Sequence, residues 1–162
     1  MTQALRIGFV GGGFITSFHL QSLVEVRDCV VTGVASKTMA SAENAAELAR
    51  SLGVGPKAQA FASVEEMAAS DQVDAIWICA RNDTRVSVMR DIQAGAARRA
   101  APLRGICLEK PLARTLKEAL EVQAIAADLA VPTGYLEDML FAPGLVSGKE
   151  VLWRRGAATS GR

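Results

Sequence analysis

The sequence predicts an α/β fold in three layers, built on a doubly wound parallel sheet. Three observations predict it. Short apolar runs alternate with segments of helical periodicity, in the order βαβαβαβαβαβ; several of those runs are hydrophobic almost throughout; and a run of glycines follows the first of them at once. Strand–helix alternation at these lengths is the pattern of parallel strands joined by helical crossovers.

Leu5–Val10 reads as the first strand, Val30–Ala35 as the second, and a short third falls at Ala58–Phe61. Val73–Ala80, Gly105–Leu108 and Val131–Leu136 follow as the fourth, fifth and sixth. The first, fourth and fifth are close to continuously hydrophobic, as strands covered on both faces are. Between strands, Ala42, Ala45, Leu48, Ala49 and Leu52 recur on one helical face, and Gly53 follows as a stop signal. Ser63-Val64-Glu65-Glu66 and Thr115-Leu116-Lys117-Glu118 have the spacing of capping boxes. Asn82 and Asp83 are placed to cap a helix running toward Gly95. Ala96–Pro102 reads as a surface loop, with Arg98 and Arg99 in solvent.

Composition narrows the function classes. A chain of 162 residues fits one domain of ordinary size. It buries enough surface, roughly 70% of the unfolded chain's, to fold without disulfide or metal. Half of its residues are apolar and its formal charge is +1, so there is no electrostatic reason to expect nucleic acid or an anionic membrane as partner. The three cysteines, Cys29, Cys79 and Cys107, lie in or beside apolar runs and read as buried small hydrophobes in a reducing cytoplasm. His19 is the sole histidine, which leaves no zinc-type cluster, and no metal is expected. The N-terminus runs straight into a strand without a signal peptide pattern. No apolar run approaches the roughly 18 residues of a membrane span. The expected location is cytoplasmic.

Gly11-Gly12-Gly13-Phe14-Ile15-Thr16 follows the first strand and opens a helix. It matches G-x-G-x-x-G in its first two glycines. Gly11 permits the tight turn, and Gly13 lets a pyrophosphate approach the backbone. The helix start at Phe14 and Ile15 offers free N–H groups and a positive dipole end. Thr16 replaces the third glycine, where helix and strand pack closely. The context of strand, turn, helix and second strand points to a dinucleotide. A glycine turn without a ligand, and a methyltransferase, are the competing readings. A methyltransferase usually carries an acidic residue at the end of the second strand, and so does an NAD site. Here the strand runs into Ser36, Lys37 and Thr38, two hydroxyls and a cation that suit a 2′-phosphate. NADP is therefore preferred over NAD, with Lys37 as a plain solvated residue the alternative. A P-loop at Gly148-Lys149 fails for want of an upstream glycine, and Tyr135 lacks the lysine four residues on that a short-chain dehydrogenase needs.

Glu109-Lys110-Pro111 lies just after the fifth strand. In an open parallel sheet ligands bind beyond the carboxyl ends of strands. Gly11–Ile15, Arg81 with Asn82, and Glu109 with Lys110 are therefore expected around one crevice. On Arg6–Ile15, His19, Val73–Ile78, Arg81-Asn82, Glu109-Lys110-Pro111, Gly134-Tyr135 and Phe141-Ala142-Pro143, the chain resembles the glucose-fructose oxidoreductase/inositol dehydrogenase (Gfo/Idh/MocA) family. The resemblance implies a Rossmann domain and hydride transfer between a sugar or polyol carbon and nicotinamide. It implies that Lys110 contacts the reacting hydroxyl and the nicotinamide, that Glu109 orients Lys110 or the cofactor, and that Pro111 fixes the turn. Lysine suits the role because its ammonium stabilises developing oxyanion charge. Arg81 stands where the family often has proline, and Arg85 where it often has histidine. The loop from Gly95 to Gly105 is longer than usual. His19 reads as a helix residue packed near the turn, with a place beside the cofactor as the alternative.

By the same resemblance, residues 1–136 form the dinucleotide-binding domain, and 137–162 form the lead-in to a substrate domain that this chain does not contain. Leu145–Leu152 is expected as one helix crossing back to the Rossmann unit, with Trp153 as an exposed aromatic. The expectation is a truncated chain that binds a dinucleotide with little turnover, because hydride transfer needs an enclosed and positioned substrate. A sugar or polyol would serve as substrate only with a second domain supplied, and the family's usual oligomer interface would be missing with that domain. A catalytically silent binding module and a nonfunctional remnant are the competing functions.

Overall fold

The computed structural model describes residues 4–154 and residue 156. Six strands form one sheet in the order β3-β2-β1-β4-β5-β6, and every pair is parallel. The strands are β1 (Leu5–Val10), β2 (Cys29–Ala35), β3 (Gln59–Phe61), β4 (Ala75–Ile78), β5 (Gly105–Glu109) and β6 (Thr133–Leu136). The helices are α1 (Phe14–Ser22), α2 (Met39–Ser51), α3 (Val64–Ala69), α4 (Arg85–Ala96), α5 (Leu116–Leu129) and α6 (Pro143–Arg154). The order reverses direction between β3 and β4. That reversal divides the helices between the two faces, since each crossover keeps the same hand.

Two cores result. Phe9, Leu20, Leu23, Val31 and Val34 pack with the alanine face of α2, Ala42, Ala45, Ala46 and Ala49. On the opposite face Ile76, Ile78, Val88, Met89, Ile92, Ile106, Leu108, Val122 and Ile125 join α3, α4 and α5 to the sheet. Small residues allow the close approach: a Cβ on Gly95 would lie 2.3 Å from the Glu65 carbonyl oxygen of α3. The expectation that the fourth and fifth strands are covered on both faces is corrected. Ala75, Trp77, Gly105 and Cys107 alternate as half-buried residues between fully buried neighbours. Their low polarity belongs to a face that α1 and α2 do not fully cover. The cysteines are likewise half-buried, and all are free thiols.

The strand ends have identifiable causes. β4 spans only Ala75–Ile78 of its apolar run, and just before it the Asp74 carboxylate accepts from the Arg6 backbone N–H and guanidinium, at 3.0 and 2.6 Å. β6 begins at Thr133, after Pro132, which has no N–H to give and whose carbonyl accepts from Ile106. The caps at Ser63 and Thr115 form as expected, each side-chain oxygen accepting from the amide three residues on. The Glu118 carboxylate completes a different pair, taking the backbone N–H and guanidinium of Arg114. The cap expected from Asn82 and Asp83 does not form. Asn82–Thr84 is a 3-10 turn, Asp83 accepts from Arg81, and Thr84 precedes α4 without a side-chain cap.

Two further expectations are also corrected. Arg98 and Arg99 are not simply solvated: Arg98 pairs with Glu65 at 3.2 Å, and Arg99 donates to the carbonyls of Ala68 and Ser70. They tie the end of α4 to α3. The expected helix over 145–152 forms, as part of α6, but it does not cross back. Its main contact is the 3-10 turn Asp138–Phe141, and it buries no residue. Trp153 is exposed, as expected, and the Lys149 ammonium lies 5.7 Å from its ring centre. Among the described residues, no helix is long and apolar enough to cross a membrane, and no cluster of metal-ligating side chains occurs.

Candidate dinucleotide site

The loops that follow β2, β1, β4 and β5, four adjacent strands, open on the same edge of the sheet. They carry Ser36–Thr38, Gly11–Ile15, Arg81-Asn82 and Glu109-Lys110 in that order. The topology therefore brings every expected site segment to one rim.

The glycine turn is held from three sides. Gly11 has a φ of +108°, and its N–H donates to the Ala35 carbonyl at 2.8 Å. A Cβ there would lie 3.0 Å from the Ala80 amide nitrogen, so the loop after β4 forms one wall. Thr16 is fully buried and donates its hydroxyl to the Gly11 carbonyl at 2.8 Å. A hydroxyl thus fastens helix to turn at the position where glycine would only allow approach. Gly12 needs to be glycine for packing: a Cβ would lie 2.4 Å from the Ser41 carbonyl oxygen of α2. Ser41 donates to the Gly12 carbonyl at 3.3 Å and accepts from Ser36 at 3.2 Å.

Gly13 differs from its neighbours. A Cβ there would meet nothing within 4 Å, and its backbone is extended, at φ −93° and ψ −167°. The protein places no demand for glycine at this position. Gly13 is the N-cap of α1, and no side chain caps that helix. Phe14 and Ile15 are exposed. The first turn of a helix leaves N–H groups without intrahelical partners and concentrates positive charge. Gly13, Phe14 and Ile15 at this start are all exposed, which fits a diphosphate.

Around this turn the other expected residues divide. The Thr38 hydroxyl is spent as the N-cap of α2, accepting from the Ser41 amide at 3.2 Å, and Lys37 is exposed beside it. The Arg81 guanidinium folds onto Asp83 at 2.9 Å, outward into solvent, and holds the Asp83 carboxyl below its usual range. Glu109 is nearly buried. Its Oε1 lies 2.5 Å from His19 Nε2, and its Oε2 accepts from the Lys110 backbone N–H at 3.1 Å. The carboxylate thus anchors the Lys110 backbone, and the Lys110 side chain extends into solvent. The Lys110–Pro111 bond is cis.

Three further side chains join the site: His19, read from the sequence as packed near the turn, Arg85, read only as a departure from the family pattern, and Ser41, which the sequence did not mark. His19 links α1 to the end of β5 and lies 4.7 Å from the Trp77 ring, centre to centre. Its spacing was the available signal, since Thr16, His19 and Leu20 share the inward face of α1. Ser41 braces Gly12, a contact between segments that no local pattern announces. Arg85 is fully buried and donates to the carbonyls of Ile78 and Ala80 at 3.4 and 3.0 Å. Burial pushes its pKa down. Burial likewise pushes the Cys79 thiol up to about 12, which makes it inert as a nucleophile.

Comparison with known proteins agrees with this geometry. The profile of an oxidoreductase family with an NAD-binding Rossmann fold, Gfo/Idh/MocA, matches residues 5–134. Inositol 2-dehydrogenase 2 of Paenarthrobacter aurescens (strain TC1) is 28% identical over 131 residues, 80% of this chain and 35% of that protein. The scyllo-inositol 2-dehydrogenase (NADP(+)) IolU of Bacillus subtilis (strain 168) is 37% identical over 78 residues, 48% of this chain and 22% of that protein. The chain thus spans about a third or less of the curated relatives it matches. Among solved structures, GenD2 from gentamicin A biosynthesis, in complex with NAD, superposes with a TM-score of 0.76 at 22% identity, over 97% of this chain and 41% of that one. A super-repressor mutant of Gal80p from Saccharomyces cerevisiae superposes at 0.77 and 21% identity, over 93% and 39%. These two likenesses speak for the fold, whereas the profile covers most of the chain and includes the glycine turn together with Glu109 and Lys110. On that match this chain belongs to the Gfo/Idh/MocA oxidoreductase family, with its NAD-binding Rossmann fold.

Proposed function

We propose that the chain is the cofactor-binding unit of an NAD(P)-dependent oxidoreductase acting on a sugar- or polyol-like hydroxyl. The observation that carries this reading is the uncapped start of α1 at Gly13, where the protein itself has no use for a glycine. Residues 1–136 are the dinucleotide domain in this reading, and 137–162 the lead-in to a substrate domain. The amides from Gly13 to Ile15 hold the diphosphate. Ser36 and Lys37, beside the start of α2, hold a 2′-phosphate, so that NADP is preferred; Thr38 contributes through its cap. Arg81 and Asn82 line the rim beyond β4. Nicotinamide supplies the hydride chemistry when bound. Lys110 presents its ammonium to the reacting hydroxyl and offsets developing oxyanion charge, and Glu109 keeps the Lys110 backbone in place. The names of the inositol dehydrogenase relatives favour a polyol, and IolU's name includes NADP(+).

Lys110 is exposed in this chain, and that favours a second reading, a catalytically silent dinucleotide-sensing or partner-binding module. Fluorescence titration with NADPH and NADH tests the shared part of both readings. NADPH should bind about threefold to fivefold more tightly, the value of one exposed ion pair, and Lys37→Glu should reverse the order. Failure of both nucleotides to bind would overturn the proposal, and tighter binding of NADH by the unaltered chain would overturn the NADP preference. An assay with inositol and NADP separates the two readings, since turnover by this chain alone would remove the second.

A further inference from the structure

Arg85 is the largest side chain in the fully buried core. It sits at the start of α4, on the face of the sheet opposite α1, and makes no ion pair among the described residues. Nη2 donates to the Ala80 carbonyl at 3.0 Å and Nη1 to the Ile78 carbonyl at 3.4 Å, while Nε is buried without a partner. A cation held this way costs more than an apolar residue of the same volume, so its stabilising value for the core is poor. Its two acceptors bracket Cys79, at the point where β4 leaves the sheet.

The peptide between Cys79 and Ala80 is the wall behind the glycine turn. The missing Cβ of Gly11 would lie 3.0 Å from the Ala80 nitrogen and 3.1 Å from the Cys79 carbonyl carbon. On its other side Gly11 is fastened by the Thr16 hydroxyl and by the Ala35 carbonyl. We propose that Arg85 is a positioning residue of the dinucleotide site: by clamping the carbonyls of Ile78 and Ala80 it sets the Cys79–Ala80 peptide against Gly11, and so fixes the turn that presents the amides of Gly13–Ile15. This rests on the reading of that turn as the diphosphate site. It assigns to a buried arginine, reaching through the sheet edge from α4, a part in an affinity otherwise credited to β1 and α1. The two-carbonyl fork requires a planar guanidinium; a lysine ammonium at the same place has its donors on one nitrogen and lacks the spread of the fork.

The test is Arg85→Lys, with Arg85→Met beside it, in the full chain. Thermal unfolding is measured first, and NADPH binding is then titrated well below the midpoint of each variant. The proposal expects Arg85→Lys to weaken NADPH binding about tenfold, the worth of one charge-assisted hydrogen bond, at a temperature where the variant is fully folded. It also expects the Gly11 and Ala80 amide resonances of the ligand-free variant to move while those of Thr115–Glu118 stay. A lowered midpoint with unchanged NADPH affinity would overturn it, because a purely structural role moves stability alone. Should Arg85→Met not fold, Arg85→Lys decides. Absence of NADPH binding by the unaltered chain is a separate result, which removes the diphosphate reading itself.

Discussion

The starts of α1 and α5 are chemically the same object, a turn of helix with unpaired N–H groups, and the chain treats them in opposite ways. At α5 a threonine closes the end, Thr115 accepting from Glu118 N–H at 3.2 Å, with Arg114 and Glu118 paired across it. At α1 the N-cap is Gly13, no side chain closes the end, and the space beside it is open. Helices α2 and α3 follow the pattern of α5 through Thr38 and Ser63. In the proposed reading, the difference marks where an anion from outside would bind; α4 also starts without a side-chain cap, but after Thr84 and not after an open glycine. A capped start contributes to folding, and an uncapped start beside a glycine keeps its positive end for an anion from outside.

Exchanging the two treatments should separate stability from binding. Gly13→Asp places a capping carboxylate where a diphosphate would lie. It should weaken NADPH binding by about tenfold or more, because the carboxylate occupies the amides and repels the diphosphate at this exposed turn. Stability should hold or rise by a few tenths of a kcal/mol, since glycine is already a fair cap and the Cβ meets no atom. Equal weakening of folding and binding would dissolve the contrast. Thr115→Ala is the mirror change: it should cost about 1 kcal/mol of stability, seen in denaturant or thermal unfolding, and leave NADPH affinity unaltered.

The smallest effect sharpens the same contrast on the purely structural side. Arg6 beside Asp74 holds the Asp74 carboxyl below its ordinary value of 3.8. The folded state therefore favours the ionised form. That stabilisation is complete above the ordinary value and is lost as pH falls through the lower, folded value. Both side chains retain contact with water, so the contribution is at most about 1 kcal/mol. Asp74→Asn should flatten the acid side of the stability curve without touching nucleotide affinity at neutral pH.

Much of this was legible in sequence because it is local. The strand–helix alternation, the stop at Gly53 and the caps at Ser63 and Thr115 are written within a few residues of where they act. So is the convergence of Gly11, Arg81 and Glu109, which follows from strand order once the sheet is parallel. What was not legible is pairing across the chain. Asp83 was expected to cap a helix, but a guanidinium two residues away outcompetes the amide, because a charged partner is the stronger donor. Arg99 reads as a loop cation until α3 is seen ending beside it, with free carbonyls to fill. His19 and Glu109 stand ninety positions apart. Neither residue's surroundings in sequence name the other, although the helical spacing of His19 already turns it toward the sheet. Uneven cover of β4 and β5 was hidden because an apolar strand reads alike whether its second face is packed or half open.

The most direct test of the central claim follows the backbone amides by 1H–15N NMR as NADPH is added. The account predicts that the resonances of Gly13, Phe14 and Ile15 move first and farthest, while those of Leu116, Lys117 and Glu118 at the capped start of α5 stay in place. Saturable binding that leaves Gly13–Ile15 unmoved, or no binding at all, would contradict it.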